Sequence, residues 1–337
     1  MTLKNRALGR TGLQVTELCL GTMTFGVQCD EATSFSILDR AFEGGIRFID
    51  SADVYPLGGS LESVGRTEEI VGRWLRDRKN RESLVLATKC AGAMGAGPND
   101  VGLSRHHIVR AVEESLRRLG TDAIDLYQVH SFDPRTPIDE TLRALDDLVR
   151  SGKVRYIGCS NYPAWRLSQA LATSERLGLA RYASVQPRYN LLYREIETEL
   201  LPLCRSEGLG VIVYNPMAGG FLSGKYKKGD DPWEGSRFLL GTAGRRYQQR
   251  YWHDRHFDAV DAFRQAVEAR GQTAAAVAIA WVLTQPDVTS AIVGASSADQ
   301  LSAPFDAIDI DVDDELREIC DNVWWSLPRR PVMEGYR

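Results

Sequence analysis

Three short apolar runs decide the fold: RFID at residues 47–50, LVLATK at 84–89 and IDLYQVH at 124–130. Each run is rich in Val, Ile, Leu or Phe and precedes a helical pattern, which is typical of buried parallel strands. The runs end on Asp50, Lys89 and His130, and Tyr55 follows shortly after the first. Because the carboxyl ends of parallel strands meet at one edge and bind ligands there, the sequence predicts an enzyme site at this edge.

Strand-like and helix-like patterns alternate along the rest of the chain. Residues 6–18 (RALGRTGLQVTEL) predict an N-terminal hairpin. The following strand–helix units favour one closed (β/α)8 barrel domain over residues 1–337, and a doubly wound open sheet is the alternative. A C-terminal helix and tail are expected over 306–337. The other predicted helices span residues 32–43, 63–76, 104–119, 138–151, 163–177, 196–207, 257–270 and 298–305.

The composition excludes several classes of protein. With 43% hydrophobic and 26% charged residues, the 337-residue chain is typical of soluble globular proteins. A net charge of −4 provides no overall field for nucleic acid or an anionic membrane. Residues 1–10 (MTLKNRALGR) lack the apolar core expected of a signal peptide, and no apolar stretch approaches the ~18 residues of a membrane span. The six cysteines lack metal-binding spacing. We therefore predict a cytoplasmic protein with reduced thiols, no bound metal, and neither nucleic-acid nor membrane partners.

Residues 215–256 form the longest connection between predicted elements, far beyond the usual loop length. Between residues 225 and 256, basic side chains outnumber acidic ones eight to four, although the whole chain is acidic. A flap that binds the phosphates of a cofactor and closes over substrate would explain this local charge. A merely solvated loop is the alternative.

The polar residues at the strand ends suit proton delivery to an alkoxide. A tyrosine hydroxyl has an ordinary pKa near ~10, so a catalytic Tyr55 needs a neighbour such as Lys89 to stabilise its phenolate. Asp50 would keep a buried Lys89 protonated, and His130 would hydrogen-bond a substrate carbonyl. Singly, each residue also suits a structural role as a cap, a rim ion pair or a loop anchor.

The absence of other motifs narrows the chemistry to carbonyl reduction. The sequence contains no GxSxG or HExxH motif, so hydrolysis by those routes is disfavoured. Protonation of a developing alkoxide implies a hydride donor. However, no GxGxxG follows the first strand and no YxxxK occurs, which argues against a Rossmann site and a short-chain dehydrogenase.

Several motifs in register resemble the aldo-keto reductase superfamily. They are FIDSADVY at 48–55, ATK at 87–89, SLRRLGTDAIDLYQVH at 115–130, GCSNY at 158–162, SVQPRYN at 184–190, YNPMAGGFLSGKY at 214–226 and IVGASSADQL at 292–301. The resemblance implies a (β/α)8 barrel, NADPH extended across the carboxyl ends of its strands, and reversible reduction of a small aldehyde or ketone. It makes Tyr55 the general acid, Lys89 and Asp50 its electrostatic partners, and His130 the residue that orients the carbonyl.

The resemblance also implies a set of cofactor contacts. Ser160, Asn161 and Gln186 match residues that hydrogen-bond the nicotinamide carboxamide, and Tyr214 matches the aromatic residue that stacks on its ring. Contacts to the phosphates are implied for Ser223, Lys225, Arg237, Ser296 and Gln300. The remaining implied contacts are Gly21, Thr22, Asp50, Asn215, Pro216, Met217, Gly219, Leu222 and Gly294. One departure concerns adenine: the family commonly reads QLxEN where this chain reads QLSAP, with Ala303 and Pro304.

Two branches of the superfamily are most similar to this chain. Residues 237–252, with the pattern RF then TxxxxYxxRYW, resemble the aflatoxin-aldehyde reductases, where positions equivalent to Tyr247 and Arg250 contact substrate; packing or an interface is the alternative. Residues 214–226 also resemble the potassium-channel β subunits, so a redox-sensing module with slow turnover stays open beside a reductase. Trp324 and Trp325 are expected to wall the pocket or pack in the core, and a homo-oligomer is compatible with the sequence.

Overall fold

Eight parallel strands close into a barrel in this computed structural model, which describes residues 3–328. Their order around the barrel is β10-β3-β4-β5-β6-β7-β8-β9, and β10 pairs with both β3 and β9. This closure confirms the (β/α)8 barrel and excludes the open sheet. The strands are β3 (Leu18–Gly21), β4 (Phe48–Asp50), β5 (Val85–Cys90), β6 (Ile124–Val129), β7 (Val154–Ser160), β8 (Ser184–Gln186), β9 (Gly210–Val213) and β10 (Ser290–Gly294).

The predicted N-terminal hairpin is present, and it covers the amino-terminal end of the barrel. It consists of β1 (Asn5–Ala7) and β2 (Gln14–Thr16). Leu8, in its turn, is fully buried among inward-facing residues such as Phe48, Leu126 and Ile212. Arg10 N donates a 2.8 Å hydrogen bond to Gly208 O, just before β9. Because the hairpin covers the barrel interior at this end, the interior opens toward the opposite end, where the carboxyl ends of the strands lie.

Eleven α-helices are present within residues 3–328, and most surround the barrel. Side-chain caps begin several of them: Ser104 Oγ, for example, accepts a hydrogen bond from His107 N at the start of α3. The helices are α1 (Glu31–Glu43), α2 (Arg66–Arg78), α3 (Arg105–Leu119), α4 (Ile138–Arg150), α5 (Ala164–Leu177), α6 (Leu200–Glu207), α7 (Gly241–Tyr251), α8 (Asp254–Ala269), α9 (Ala274–Leu283), α10 (Ser302–Asp306) and α11 (Asp314–Trp325).

Four predicted helix boundaries were wrong. The helix expected over 257–270 begins three residues earlier, at Asp254. The helix expected over 63–76 begins only at residue 66, because Gly65 has φ 85° and stands outside the helical region. The helix expected over 196–207 begins at residue 200, which places Pro202 in the first turn, where its missing N–H costs nothing. The predicted helix 298–305 is a 3-10 turn, Ala298–Leu301, followed by α10.

Two helices were not predicted. The segment 215–256, expected as a loop, contains α7, whose sequence GTAGRRYQQRY includes two glycines that weaken its helical signal. The other is α9 (AAAVAIAWVL), in which nearly every residue is buried. A helix that is apolar on all sides lacks the periodicity by which a surface helix is recognised.

The C-terminal helix and tail expected over 306–337 are described only in part. α11 packs against α8 and α9, and residues 329–337 lie outside the described range. Over residues 3–328, no helix combines the length and the apolar character needed to cross a membrane. All six cysteines are free and buried.

Candidate active site

Lys89 and Asp50 form a buried ion pair at the carboxyl end of the barrel. Asp50 is the last residue of β4, and Lys89 lies in the adjacent strand β5. Lys89 Nζ donates to Asp50 Oδ2 at 2.5 Å and to Ser51 O at 2.8 Å. Burial alone would lower the pKa of Lys89, but Asp50 and Tyr55 raise it above its ordinary value. Lys89 therefore keeps its positive charge inside the protein.

Two glutamines hold the other oxygen of the Asp50 carboxylate. Gln186 Nε2 donates to Asp50 Oδ1 at 2.8 Å, and Gln128 Nε2 donates to the same atom at 3.0 Å. A buried charge is tolerated when its hydrogen bonds are satisfied in this way. Gln128 was missed in the sequence, although an amide inside an otherwise apolar strand signals a buried partner.

Tyr55 lies beside the ion pair, in the loop that follows β4. Lys89 Nζ is 5.1 Å from the centroid of its ring, and the His130 ring centroid is 5.8 Å away with the rings nearly perpendicular. Burial raises the pKa of Tyr55, and the nearby charge of Lys89 only partly offsets that effect. The phenol is therefore protonated at neutral pH, as a proton donor must be.

His130 follows β6 and is held through its main chain. Its N–H donates to Cys90 O at 2.8 Å, and its carbonyl accepts from Asn161 Nδ2 at 2.9 Å. Burial and the positive charge of Lys89 lower the pKa of His130 to about 3. The imidazole is thus neutral at physiological pH and can offer one ring N–H to a carbonyl oxygen. The structure brings the four residues predicted as catalytic together at one place.

The residues expected to bind the nicotinamide carboxamide adjoin this group, but they bond one another. Ser160 Oγ donates to Gln186 O at 2.8 Å, and Asn161 Nδ2 donates to Ser160 Oγ at 2.9 Å. Tyr214, directly after β9, donates its hydroxyl proton to Asn161 Oδ1 at 2.8 Å. A nicotinamide carboxamide bound here would replace some of these hydrogen bonds with its own. The partly exposed Tyr214 ring remains at the mouth of the barrel.

Gly21 and Gly294 end the neighbouring strands β3 and β10 and pair with each other. Gly294 is exposed at the rim, whereas Gly21 is buried against Ile292, where an added Cβ would come within 2.6 Å of its side chain. Thr22 is fully buried and its hydroxyl donates to Asp50 O at 3.0 Å, so Thr22 supports the strand end of Asp50. Ser296 and Gln300, in the last strand-to-helix connection, hydrogen-bond each other.

The start of the flap is a tight turn. Asn215 and Ala218 have positive φ values, as do Gly219 and Gly220, and Asn215 Oδ1 accepts from Gly219 N at 2.6 Å. Pro216 is buried, Met217 partly so, and Ser223 Oγ donates to Gly220 O. The Leu222 side chain is fully buried in the core. Any contact from Leu222 to a cofactor would therefore come from its main chain.

Lys225 and Arg237 form a cationic pair in the flap. Lys225 Nζ lies 5.2 Å from the ring centroid of Tyr226, and Arg237 lies over the ring of Tyr247. Burial and the charge of Arg237 lower the pKa of Lys225. Neither cation pairs with a carboxylate within the described part of the chain. Two neighbouring cations that lack a carboxylate partner among residues 3–328 suit the binding of a dinucleotide's phosphates.

Two further residues predicted to contact substrate, Tyr247 and Arg250, lie on α7. Tyr247 is 8% exposed and packs against Gly219, where an added Cβ would come within 2.7 Å of its ring. Tyr247 is close enough to contribute to the raised pKa values of both Tyr55 and Tyr214. Arg250 is partly exposed and close to Tyr214. The roles expected for Trp324 and Trp325 remain predictions; Trp325 is 58% exposed on α11.

Comparison with known proteins decides the family. The sequence profile of the Aldo/keto reductase family matches residues 17–324. This chain belongs to the aldo/keto reductase family. It is 41% identical to the uncharacterized oxidoreductase YrpG of Bacillus subtilis (strain 168), over 94% of both chains. It is 37% identical to a probable voltage-gated potassium channel subunit beta of Arabidopsis thaliana over the full length of both. Norsolorinic acid reductase stcV of Emericella nidulans is 34% identical, over 93% of this chain and 79% of that protein.

The family and its oxidoreductase relatives establish this aldo/keto reductase as an oxidoreductase. Enzymes of this family generally use a nicotinamide cofactor. The similarity to a potassium channel subunit beta agrees with one of the two branches that the motifs resemble.

Proposed function

We propose that this aldo/keto reductase uses NADPH to reduce an aldehyde or ketone to an alcohol, reversibly and with Tyr55 as the general acid. The protonated Tyr55 phenol, set between the Lys89 ammonium and the neutral His130 ring at the open end of the barrel, carries this proposal.

His130 begins the reaction by orienting the substrate. Because its pKa is about 3, its neutral ring donates a hydrogen bond to the carbonyl oxygen and keeps its own proton. The carbonyl oxygen then lies within reach of the Tyr55 hydroxyl. When bound, NADPH would supply the hydride that the carbonyl carbon receives.

Tyr55 then completes the reduction by donating its proton to the developing alkoxide. The C=O bond becomes CH–OH, and Tyr55 is left as a phenolate. Lys89, which Asp50 holds protonated, lies beside Tyr55 and stabilises that negative charge. Solvent returns the proton to Tyr55 afterwards. In the direction of oxidation, the phenolate accepts the proton from the alcohol.

NADPH is proposed in preference to NADH because Lys225 and Arg237 have no acidic partner in residues 3–328. A guanidinium binds a phosphate group through two parallel hydrogen bonds, and only NADPH carries the additional 2′-phosphate. A cytoplasmic location and a small-molecule carbonyl substrate, with Tyr247 and Arg250 as contacts, complete the proposal. A homo-oligomer is compatible with it.

A redox-sensing module is the second candidate, favoured by the full-length similarity to the Arabidopsis potassium channel subunit beta. Two measurements separate the reductase from the sensor. Protein fluorescence is titrated with NADPH, and the fall in NADPH absorbance is then followed after 4-nitrobenzaldehyde is added. Tight binding with sustained turnover supports the reductase. Tight binding with oxidation of little more than the bound cofactor contradicts it and supports the sensor.

A further inference from the structure

A cavity lies at the amino-terminal end of the barrel, opposite the candidate active site. It has a volume of about 150 Å³ and lies between the hairpin turn, the end of α4 and the amino ends of β7 and β8. In (β/α)8 enzymes the chemistry takes place at the carboxyl ends of the strands, so the proposed reaction does not use this cavity. The inference below is therefore independent of the proposed function.

Most of the cavity wall is apolar. Ile157 and Tyr182 are both buried at 1% exposure, and Ala183 is buried at 8%. Val149, near the end of α4, and Tyr156, in β7, complete the wall and are partly buried. In another protein, an apolar cavity of similar volume stays dry and binds a benzene molecule. The volume and the wall therefore suit one aromatic ring.

Three arginines and, over the described residues, no acidic residue line this cavity. Arg181 is already neutralised, because it donates to the Glu207 carboxylate at 2.9 Å and to the Glu207 carbonyl at 3.1 Å. Arg10 and Arg155 are exposed, and within residues 3–328 neither forms an ion pair or a side-chain hydrogen bond. Two uncompensated positive charges thus lie at the mouth of the cavity, in a chain whose net charge is −4.

The main chain fixes the positions from which Arg10 and Arg155 extend. Arg10 N donates to Gly208 O at 2.8 Å, and the Arg10 side chain packs over Gly208, where an added Cβ would lie 3.3 Å from Arg10 Cβ. Arg155 is in β7, between two residues that are paired with β6. Because the backbone is already ordered, binding an anion here costs only the ordering of two side chains.

We propose that this cavity binds a small aromatic carboxylate, with its ring against Ile157 and Tyr182 and its carboxylate between Arg10 and Arg155. A single exposed arginine commonly does no more than keep a surface soluble. Two arginines at the mouth of an apolar cavity match a ligand that is apolar at one end and anionic at the other. A guanidinium group binds a carboxylate through two parallel hydrogen bonds, which fixes the orientation of the ligand.

Benzoate is the probe, and its binding is measured by ligand-observed NMR titration, which requires no turnover. We expect the wild-type protein to bind benzoate with a Kd of ~1 mM or lower, as suits a ligand of this size. Arg10→Gln and Arg155→Gln should each raise this Kd ~10-fold, because each removes a charge-assisted hydrogen bond. Arg143→Gln is the matched control, since Arg143 is exposed on α4 outside the cavity, and its Kd should equal that of the wild type.

Two further ligands separate the contribution of the charge from that of the ring. Benzyl alcohol keeps the ring without the charge, and acetate keeps the carboxylate without the ring. Each should bind at least ~10-fold more weakly than benzoate. If either ligand binds as tightly as benzoate, the cavity and the arginines do not act together, and the inference is overturned.

Val149→Phe tests where benzoate binds. Val149 is only partly buried, so the protein should accept a larger side chain there, and the added ring should fill the cavity and abolish benzoate binding. Urea unfolding checks that this variant is folded. Benzoate binding that stays unchanged in both arginine variants would place the ligand elsewhere, for example at the open end of the barrel, and would overturn the inference. The absence of saturable binding up to ~10 mM benzoate would overturn it as well.

Discussion

Lys89 Nζ lies 2.5 Å from Asp50 Oδ2, and both groups are buried at the carboxyl ends of adjacent strands. Because burial favours a neutral lysine, the charge on Lys89 depends on this carboxylate. The charge in turn stabilises the phenolate that forms when Tyr55 donates its proton. The ion pair therefore connects the fold to the proposed chemistry.

Asp50→Asn should remove both stability and activity. The substitution leaves the buried Lys89 without its counter-ion, so we expect a loss of ~3–5 kcal/mol in the free energy of unfolding, measured in urea. The double variant Asp50→Asn with Lys89→Met removes the buried charge and should recover much of that stability but no turnover. Recovery of turnover in the double variant would show that the pair has only a structural role.

His130 should make folding stability depend on pH. Its folded-state pKa is lowered to about 3, so the folded protein favours the neutral ring while the unfolded chain binds a proton near its ordinary pKa. This contribution is fully present above pH ~6.5 and is lost as the pH falls toward 3. Between pH 7.5 and 5, we expect the free energy of unfolding to fall by ~1–2 kcal/mol more in the wild type than in His130→Gln, after allowance for partial exposure. If urea titrations showed the same loss in the free energy of unfolding for both proteins, the His130 pKa would lie near its ordinary value.

Arg237→Ala should weaken NADPH binding more than NADH binding. If Arg237 pairs with the 2′-phosphate, its loss should raise the Kd for NADPH ~10-fold or more and leave the Kd for NADH within ~2-fold. Both constants are obtained by fluorescence titration, with the exposed Arg245→Ala as control. An equal change for the two cofactors would assign Arg237 a structural role in the flap.

Leu8→Ala should destabilise the barrel at the end opposite the candidate active site. Leu8 is fully buried where the hairpin closes the barrel, so the cavity should cost ~2–5 kcal/mol in urea unfolding. The half-exposed Leu239 provides the control, and Leu239→Ala should change stability little. The KM for NADPH should be unaffected in the folded Leu8→Ala protein. A raised KM would show that the hairpin influences the cofactor end.

The barrel was predictable because its strands are short apolar runs that end on polar residues, as at Asp50 and Lys89. The placement of the four predicted catalytic residues at the carboxyl end of the barrel follows from that pattern alone. α9 was not predictable in the same way, since its residues are apolar on every side and show no helical period. Gly241 and Gly244 weaken the helical signal of α7, which lies in a segment predicted as a loop.

The contacts around the ion pair required the structure. Gln128 holds Asp50 only because β5 and β6 align it opposite Lys89, and strand register is not contained in the local sequence. Likewise, the hydrogen bonds among Ser160, Asn161 and Gln186 show that these groups already have partners.

Turnover and NADPH binding of Tyr55→Phe test the central claim most directly. The substitution removes only the hydroxyl that donates the proton. The account predicts a ~10²–10⁴-fold fall in kcat for 4-nitrobenzaldehyde, with the fluorescence-derived Kd for NADPH within ~2-fold of the wild type. A Tyr55→Phe protein that reduces the aldehyde at nearly the wild-type rate would contradict it.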